Sequence, residues 1–376
     1  MSLADCQQEL LLCIASFLKP KDIASLCLVS RQFNILQEII YHDIEVQHEN
    51  VGRLHQTCKT NPTLFGATNR FRVTMASGRS PLNVIKRICD IMPLITRANH
   101  IELIGGERRT PLKEFYGLSV ALESDPGFLA QVQTLVINGT LLALLSCEIP
   151  QLHTLDIREM SLEVLDSVKT TALHRVHRQR LSKLCIDITQ HFADDRWNTQ
   201  CDRRVRNFID ALNCFGVKEL TLSICNDRGE VHGQIGDTPL LDMNCILSLR
   251  NLLQQLQPIA HSLKSLKITK IPVEVLLESV HDALLMFTFL SRLEVPLSCF
   301  RGQDRLDGIG YGLPSSLEGI ILYGDETKEL QIITERCHEH NISTTMNRQN
   351  QLLVTNVGDE GKVLWEAIRI ACNAFE

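Results

Sequence analysis

The amino-acid sequence predicts a mixed α/β protein: a module of three short N-terminal helices, then a long irregular solenoid of alternating strands and helices. Three observations carry this expectation. Residues 7–40 hold apolar side chains at helical spacing, divided by Pro20 and Ser30. Past residue 50 one pattern recurs, apolar-x-x-apolar-x-apolar, at starts 20 to 46 residues apart. Between its copies lie segments with apolar stripes of helical period.

In the first helix, Leu10, Leu11, Ile14, Phe17 and Leu18 fall on one face. Pro20 ends it, because proline disfavours helical geometry in the residue before it. The same proline suits the first turn of the second helix, where Asp22 sets negative charge at the positive end. Ile23, Leu26 and Cys27 form a short apolar face there. Ser30 is a candidate N-cap for a third helix with the stripe Phe33, Leu36, Ile39 and Ile40. Ile44 and Val46 alternate with polar residues as in a strand. Three helices this short offset less than the conformational entropy of ordering them. The module therefore needs a neighbour or a partner, and an apolar face left exposed on it marks an interaction site.

The run from Glu9 to Leu18, then Pro20-Lys21-Asp22-Ile23, then Leu28-Val29-Ser30-Arg31-Gln32-Phe33, resembles an F-box, particularly those of fungal F-box proteins. Those modules similarly continue into a segment like Tyr41 to Val46. One departure is Cys6-Gln7, where F-boxes usually open with Leu-Pro. The resemblance implies docking on the Skp adaptor of a Skp–cullin–F-box (SCF) ubiquitin ligase. The positions that match the family pattern are Leu10, Ile14, Leu18, Pro20, Ile23, Leu26, Val29, Ser30 and Phe33. Some would face the adaptor and others would hold the helices together. The plainer reading is a helical cap on the domain that follows.

The recurring pattern starts at Ala98, Val132, Leu152, Leu181, Val217, Leu263, Leu290 and Leu317. It suits one short strand per repeat with the last two apolar residues turned inward. Helical stripes intervene at Val84, Ile88, Ile91 and Met92, at Phe208, Ile209 and Leu212, and at Val273, Leu276, Leu277 and Val280. This order resembles a leucine-rich-repeat horseshoe of the irregular kind. The Asn or Cys that closes its consensus is mostly missing, with a hint at Ile137-Asn138. Insertions near 188–202 and 225–240 break the period, and an ordinary α/β domain with a parallel sheet is the alternative. Residues 342–346 and 352–356 are expected to pair around Arg348-Gln349-Asn350. A last helix with Leu364, Ala367, Ile368, Ala371, Cys372 and Phe375 on one face completes a cap over about 341–376. The expected domains are thus 1–46 and 47–376.

The chain has 376 residues, 44% apolar and 22% charged, as globular proteins do, with aromatics at 5%. A net charge of −6 gives no basic surface for nucleic acid and no reason to expect a membrane surface. The start Met1-Ser2-Leu3-Ala4-Asp5 lacks the form of a signal peptide. Fourteen cysteines occur without any C-x-x-C, most in apolar patterns such as those of Cys13, Cys27, Cys185 and Cys225. They are expected to be reduced core residues in the cytoplasm or nucleus. The stretch Gly358 to Lys362 is too short for a phosphate loop. Cys337-His338-Glu339-His340 is the best metal-like cluster, but it lies at an expected helix end without a partner pair. His174 to Arg180 is a short basic run and Trp197 stands in a polar insertion. No cofactor, metal or catalytic residue is expected.

The leading expectation is therefore a non-catalytic adaptor. Its F-box would dock on the Skp adaptor, and through that on a cullin scaffold. Its strand face would hold an unknown target protein, raising the effective concentration of target lysines near the ubiquitin-conjugating enzyme. Candidate target-binding residues flank the inward apolar ones: Thr154, Asp156, Arg158, Asp187, Glu219, Thr221, Ser265, Lys267, Arg292 and Glu294. The competing expectations are a repeat-based binding protein without a ligase link, and an enzyme on an α/β scaffold.

Overall fold

The computed structural model describes residues 8–75, 82–105, 129–146, 148–160, 180–191, 199–212, 216–227, 249–269, 281–300, 313–324, 327–357 and 360–373. It divides into two compact units, residues 1–156 and 157–376. The expected boundary at 46/47 falls inside the first of them.

The first unit opens with α1 (Gln8–Ala15) and α2 (Pro20–Val29), followed by a 3-10 helix (Arg31–Leu36) and α3 (Gln37–His42). Lys19 is extended and Pro20 occupies the first turn of α2 with Asp22, as the proline requires. The expected single third helix is instead two. Ser30 is extended, and the Phe33 amide donates to the Ser30 carbonyl at 3.0 Å, a three-residue turn. Such a turn stacks residues i and i+3, and Phe33 and Leu36 both enter the core with Leu11, Ala15 and Ile23.

Strand β1 (Asp43–Gln47) follows directly, alternating exposed and buried side chains. Then come α4 (Val51–Thr60), a 3-10 helix (Pro62–Ala67), β2 (Arg70–Met75), α5 (Leu82–Ile91), β3 (His100–Gly105) and β4 (Thr134–Asn138). The four strands pair in parallel and in chain order. Their register stacks two apolar layers, Ile44–Phe71–Ile101–Leu135 and Val46–Val73–Leu103–Ile137. The α5 stripe, Val84, Ile88 and Ile91, is buried as its spacing predicts, and Met92 follows it into the core. Strand β5 (Thr154–Met160) carries the division between the units.

In the second unit β6 (Lys183–His191), α6 (Thr199–Leu212), β7 (Glu219–Asp227), α7 (Leu249–Gln254), β8 (Ser265–Thr269), α8 (His281–Leu285), β9 (Arg292–Pro296) and β10 (Gly319–Tyr323) alternate. The strands are parallel and stack Leu184–Leu220–Leu266–Leu293–Ile320 in one layer. Phe208, Ile209 and Leu212 are buried. After α9 (Thr327–Glu339), β11 (Ser343–Met346) and β12 (Gln351–Thr355) form the expected hairpin, with β12 antiparallel to β10. Asn341, Asn350 and Asn356 take the left-handed conformation there, which asparagine tolerates better than most residues. Helix α10 (Gly361–Asn373) buries Leu364, Ala367, Ile368, Ala371 and Cys372.

One correction concerns the insertions. Strands β6 and β7 run on to His191 and Asp227, into segments read as breaks in the period. Residues 199–202 of the first insertion open α6, and 192–198 and 228–240 lie outside the described residues, as do Val273, Leu276, Leu277, Val280, Phe375, Trp197 and His174 to Gln179.

All eight expected repeats lie on strands. The first apolar residue of each is buried just ahead of its strand and the last two are buried within it. The amides that open one strand converge on a single carbonyl of the strand before. His100 and Asn99 donate to Asn69 O, Arg292 and Ser291 to Lys264 O, and Gly319 and Glu318 to Ser291 O. A hydroxyl adds a hook between successive repeats: Ser262 donates to Val217 O and Ser316 to Leu290 O, each at 2.8 Å.

Candidate protein-docking site

The N-terminal helices cannot bury all their apolar side chains against one another. Leu11, Ala15, Ile23, Phe33 and Leu36 fill the small core, and Leu12, Leu18, Leu26, Cys27, Ile35, Ile39 and Ile40 pack partly against it. What remains is exposed to water. Phe17 is 85% exposed, Leu28 90%, Val29 78% and Leu10 51%. Burying four such side chains is worth about 1.5–3 kcal/mol each, enough to matter against the cost of association.

Among the positions matched to the family pattern, Leu10 and Val29 are exposed, Ile14, Leu18, Leu26 and Ser30 are half-buried, and Ile23 and Phe33 are core. Pro20 starts α2. Phe17 and Leu28, the most exposed of all, were not among the expected site residues. For Leu28 the signal was present: residues 23–29 are too apolar for the single face that Ile23, Leu26 and Cys27 make. Leu28 and Val29 fall outside that face.

The outward strand surface of the first unit holds an ionic cluster that sequence reasoning missed. Glu102 on β3 is buried. Its carboxylate accepts from Arg70 (2.5 Å), lies 2.6 Å from His100 Nε2 and meets Arg72 Nε at 3.1 Å; Arg72 also reaches Glu45 at 3.4 Å. The parallel register produces this, because Glu45, Arg72 and Glu102 share one row and Arg70 and His100 the next. Burial opposes ionisation of Glu102, yet the hydrogen bonds from Arg70 and His100 and the charges of Arg70 and Arg72 outweigh it. The carboxyl is held below its ordinary range. Beside it, strand β4 departs from alternation, since Val136 and Asn138 are buried too.

The expected target-binding residues stand between inward ones on their strands. Thr154 and Asp156 are half-buried in the first unit. In the second, Arg158, Asp187, Thr221, Ser265, Lys267 and Glu294 are half-buried and Glu219 and Arg292 are exposed. Register aligns Glu219, Ser265 and Arg292 in one row and Thr221, Lys267 and Glu294 in the next. Lys267 pairs with Glu294, and Glu219 with Lys183 at 3.6 Å. The same surface turns apolar towards β10 and β12, where Ile321 faces Leu353 and Tyr323 faces Pro296. None of these four was an expected site residue.

Among the described residues no group of three His, Cys, Asp or Glu converges on a metal position, and no helix is long and apolar enough to cross a membrane. In the Cys337 to His340 cluster, Cys337 is buried while His338 and His340 are exposed. Burial pushes the Cys337 and Cys58 thiols up to about 11. Cys299 and Cys372 are likewise buried, Cys27 and Cys185 are half-buried, and Cys13, expected in the core, is exposed. Cys13 lies on the face of α1 away from Leu11 and Ala15. The side chain of Cys225 is outside the described set.

Residues 8–47 match the F-box-like family model. The match spans α1 to α3 and closes on β1. No curated protein matches the chain.

Proposed function

We propose, from the match of residues 8–47 to the F-box-like family model, that the chain is the substrate-recognition adaptor of an SCF-type ubiquitin ligase, working in the cytoplasm or nucleus. Its F-box docks on the Skp adaptor, and through it on the cullin scaffold. The strand-bearing remainder, read as a degenerate leucine-rich-repeat array, holds the target protein. The chain itself performs no chemistry, and its contribution is proximity. The observation that carries this reading is the exposure of Phe17, Leu28, Val29 and Leu10 on a module that buries Leu11, Ala15, Ile23, Phe33 and Leu36 in its own core.

The test uses Leu28→Asp combined with Val29→Asp. Both side chains project into solvent, so the fold should survive, with an unchanged circular dichroism spectrum. Capture of a purified Skp adaptor by the full chain should fall at least a hundredfold. A wild-type chain that captures no adaptor, or a double variant that captures it equally well, defeats the proposal.

A further inference from the structure

We propose that the outer edge of β11 is a docking strand for an extended segment of the target protein, aliphatic at alternate positions and acidic between them. The inference rests on the reading of the strand-bearing region as the part that holds the target.

Among the described residues β11 hydrogen-bonds to β12 alone. The amide of Asn347 donates to Gln351 O at 3.0 Å, which makes 347 and 351 a bonded pair. Bonded and non-bonded pairs alternate along an antiparallel ladder. Ser343 and Thr345 therefore aim their main-chain groups at β12, and Thr344 and Met346 aim theirs outward. Those two donors and two acceptors match the spacing of another extended chain and of little else.

An edge of this kind is normally blocked by charge, proline or a bulge. The segment Ser343-Thr344-Thr345-Met346 has no charge and no proline. Strand β1, by contrast, carries Asp43 and Glu45. Met346 shares an inner row with Leu352, which is fully buried, yet is itself 41% exposed. An added strand with an aliphatic residue beside Met346 would cover it. Basic side chains stand by this strand, all exposed: His338, whose Nε2 lies 3.5 Å from Thr344 Oγ1, and His340 and Arg348, which flank β11 in sequence. Glu339, the nearby acid, is taken up by Arg336 at 3.0 Å. Acidic side chains on the incoming segment complement those basic groups.

A second copy of this chain is a poorer occupant. Four residues of strand span about 13 Å and cover a small part of the roughly 1,200–2,000 Å² that a stable interface buries. A target segment needs no such area from the edge alone, because other contacts on the same target raise its local concentration.

The probe is a displayed library of ten-residue peptides with Val or Ile at alternate positions and acidic residues enriched between them, selected on the full chain. Selected peptides should slow hydrogen exchange at the Thr344 and Met346 amides. Thr344→Pro deletes an outward N–H and leaves the bonds to β12, and it should weaken binding at least tenfold. Met346→Glu, which keeps every main-chain group and sets a like charge against the acidic segment, should do the same and serves if the proline disturbs the hairpin. No enrichment, wild-type affinity retained in both variants, or protection at other amides overturns the proposal. Concentration-dependent protection without peptide assigns the edge to a second copy and overturns it too. Skp-adaptor capture is measured on the same proteins. Its loss with peptide binding retained removes the ligase reading and leaves the docking strand standing.

Discussion

Glu102 occupies a surface where strand alternation places side chains in water, and it is buried there beneath two arginines and a histidine. A carboxylate withdrawn from water is costly unless opposite charges and hydrogen bonds surround it. Here they do, and its folded pKa lies below the ordinary 4.5. The unfolded chain therefore takes up the proton first. The stability Glu102 contributes is complete above that ordinary value and is lost as pH falls through the depressed folded one. We expect Glu102→Gln to destabilise the first unit by roughly 3 kcal/mol at neutral pH, the low end for a broken buried pair, since Arg70 and Arg72 keep contact with solvent. Denaturant titrations between pH 6 and pH 3 should show a shallower acid decline in the variant than in the wild type. A parallel decline would mean that Glu102 is not the group responsible. Thr68 shows how one residue hides a repeat. It holds the first position of the pattern in Thr68-x-x-Phe71-x-Val73, fully buried, with its hydroxyl donating to Tyr41 O at 2.8 Å. An apolar residue is expected at that position, so the rung at β2 escaped the pattern.

The parallel strands pair with the ones before them through their opening amides and through apolar layers that run across the register. A core residue in a middle rung thus supports two neighbours. Leu266→Ala, at a fully buried position of β8, should cost about 2–5 kcal/mol. Ser262→Ala, which removes the hydroxyl from Val217 O, should cost about 1 kcal/mol. Equilibrium unfolding in urea measures both, and a larger loss for Ser262→Ala would contradict the ranking. Strand β1 has two roles, ending the F-box-like segment and opening the first unit's sheet. A chain shortened to begin at residue 48 loses β1 and leaves the edge of β2 bare. We expect it to self-associate, in light scattering, where the intact chain does not. The boundary suggested by motif content, at 46/47, cuts a hydrogen-bonded pair of strands.

For the molecule as a whole, the proposed adaptor capture and the proposed target holding are assigned to different residues and should separate. Leu28→Asp with Val29→Asp should abolish capture of the Skp adaptor and leave peptide binding at β11 unchanged. Thr344→Pro should do the reverse. A variant that loses both would show that the two functions share one surface. Both parts of the molecule rest on local patterns. The short range of those patterns explains which features could be recognised from residues alone.

The helices and the eight strands that carry the recurring pattern were legible because period, proline and capping act within a few residues, and an apolar residue at the right spacing has only one place to go. The F-box was legible for the same reason, as a run of such signals in fixed order. The split 3-10 turn before α3, the exposure of Phe17, and the Glu102 cluster were not. Each depends on which side chains from distant rungs come to lie in one row or one small core. Strand register and competition for limited buried space set that, and both arise only when separate segments pack together.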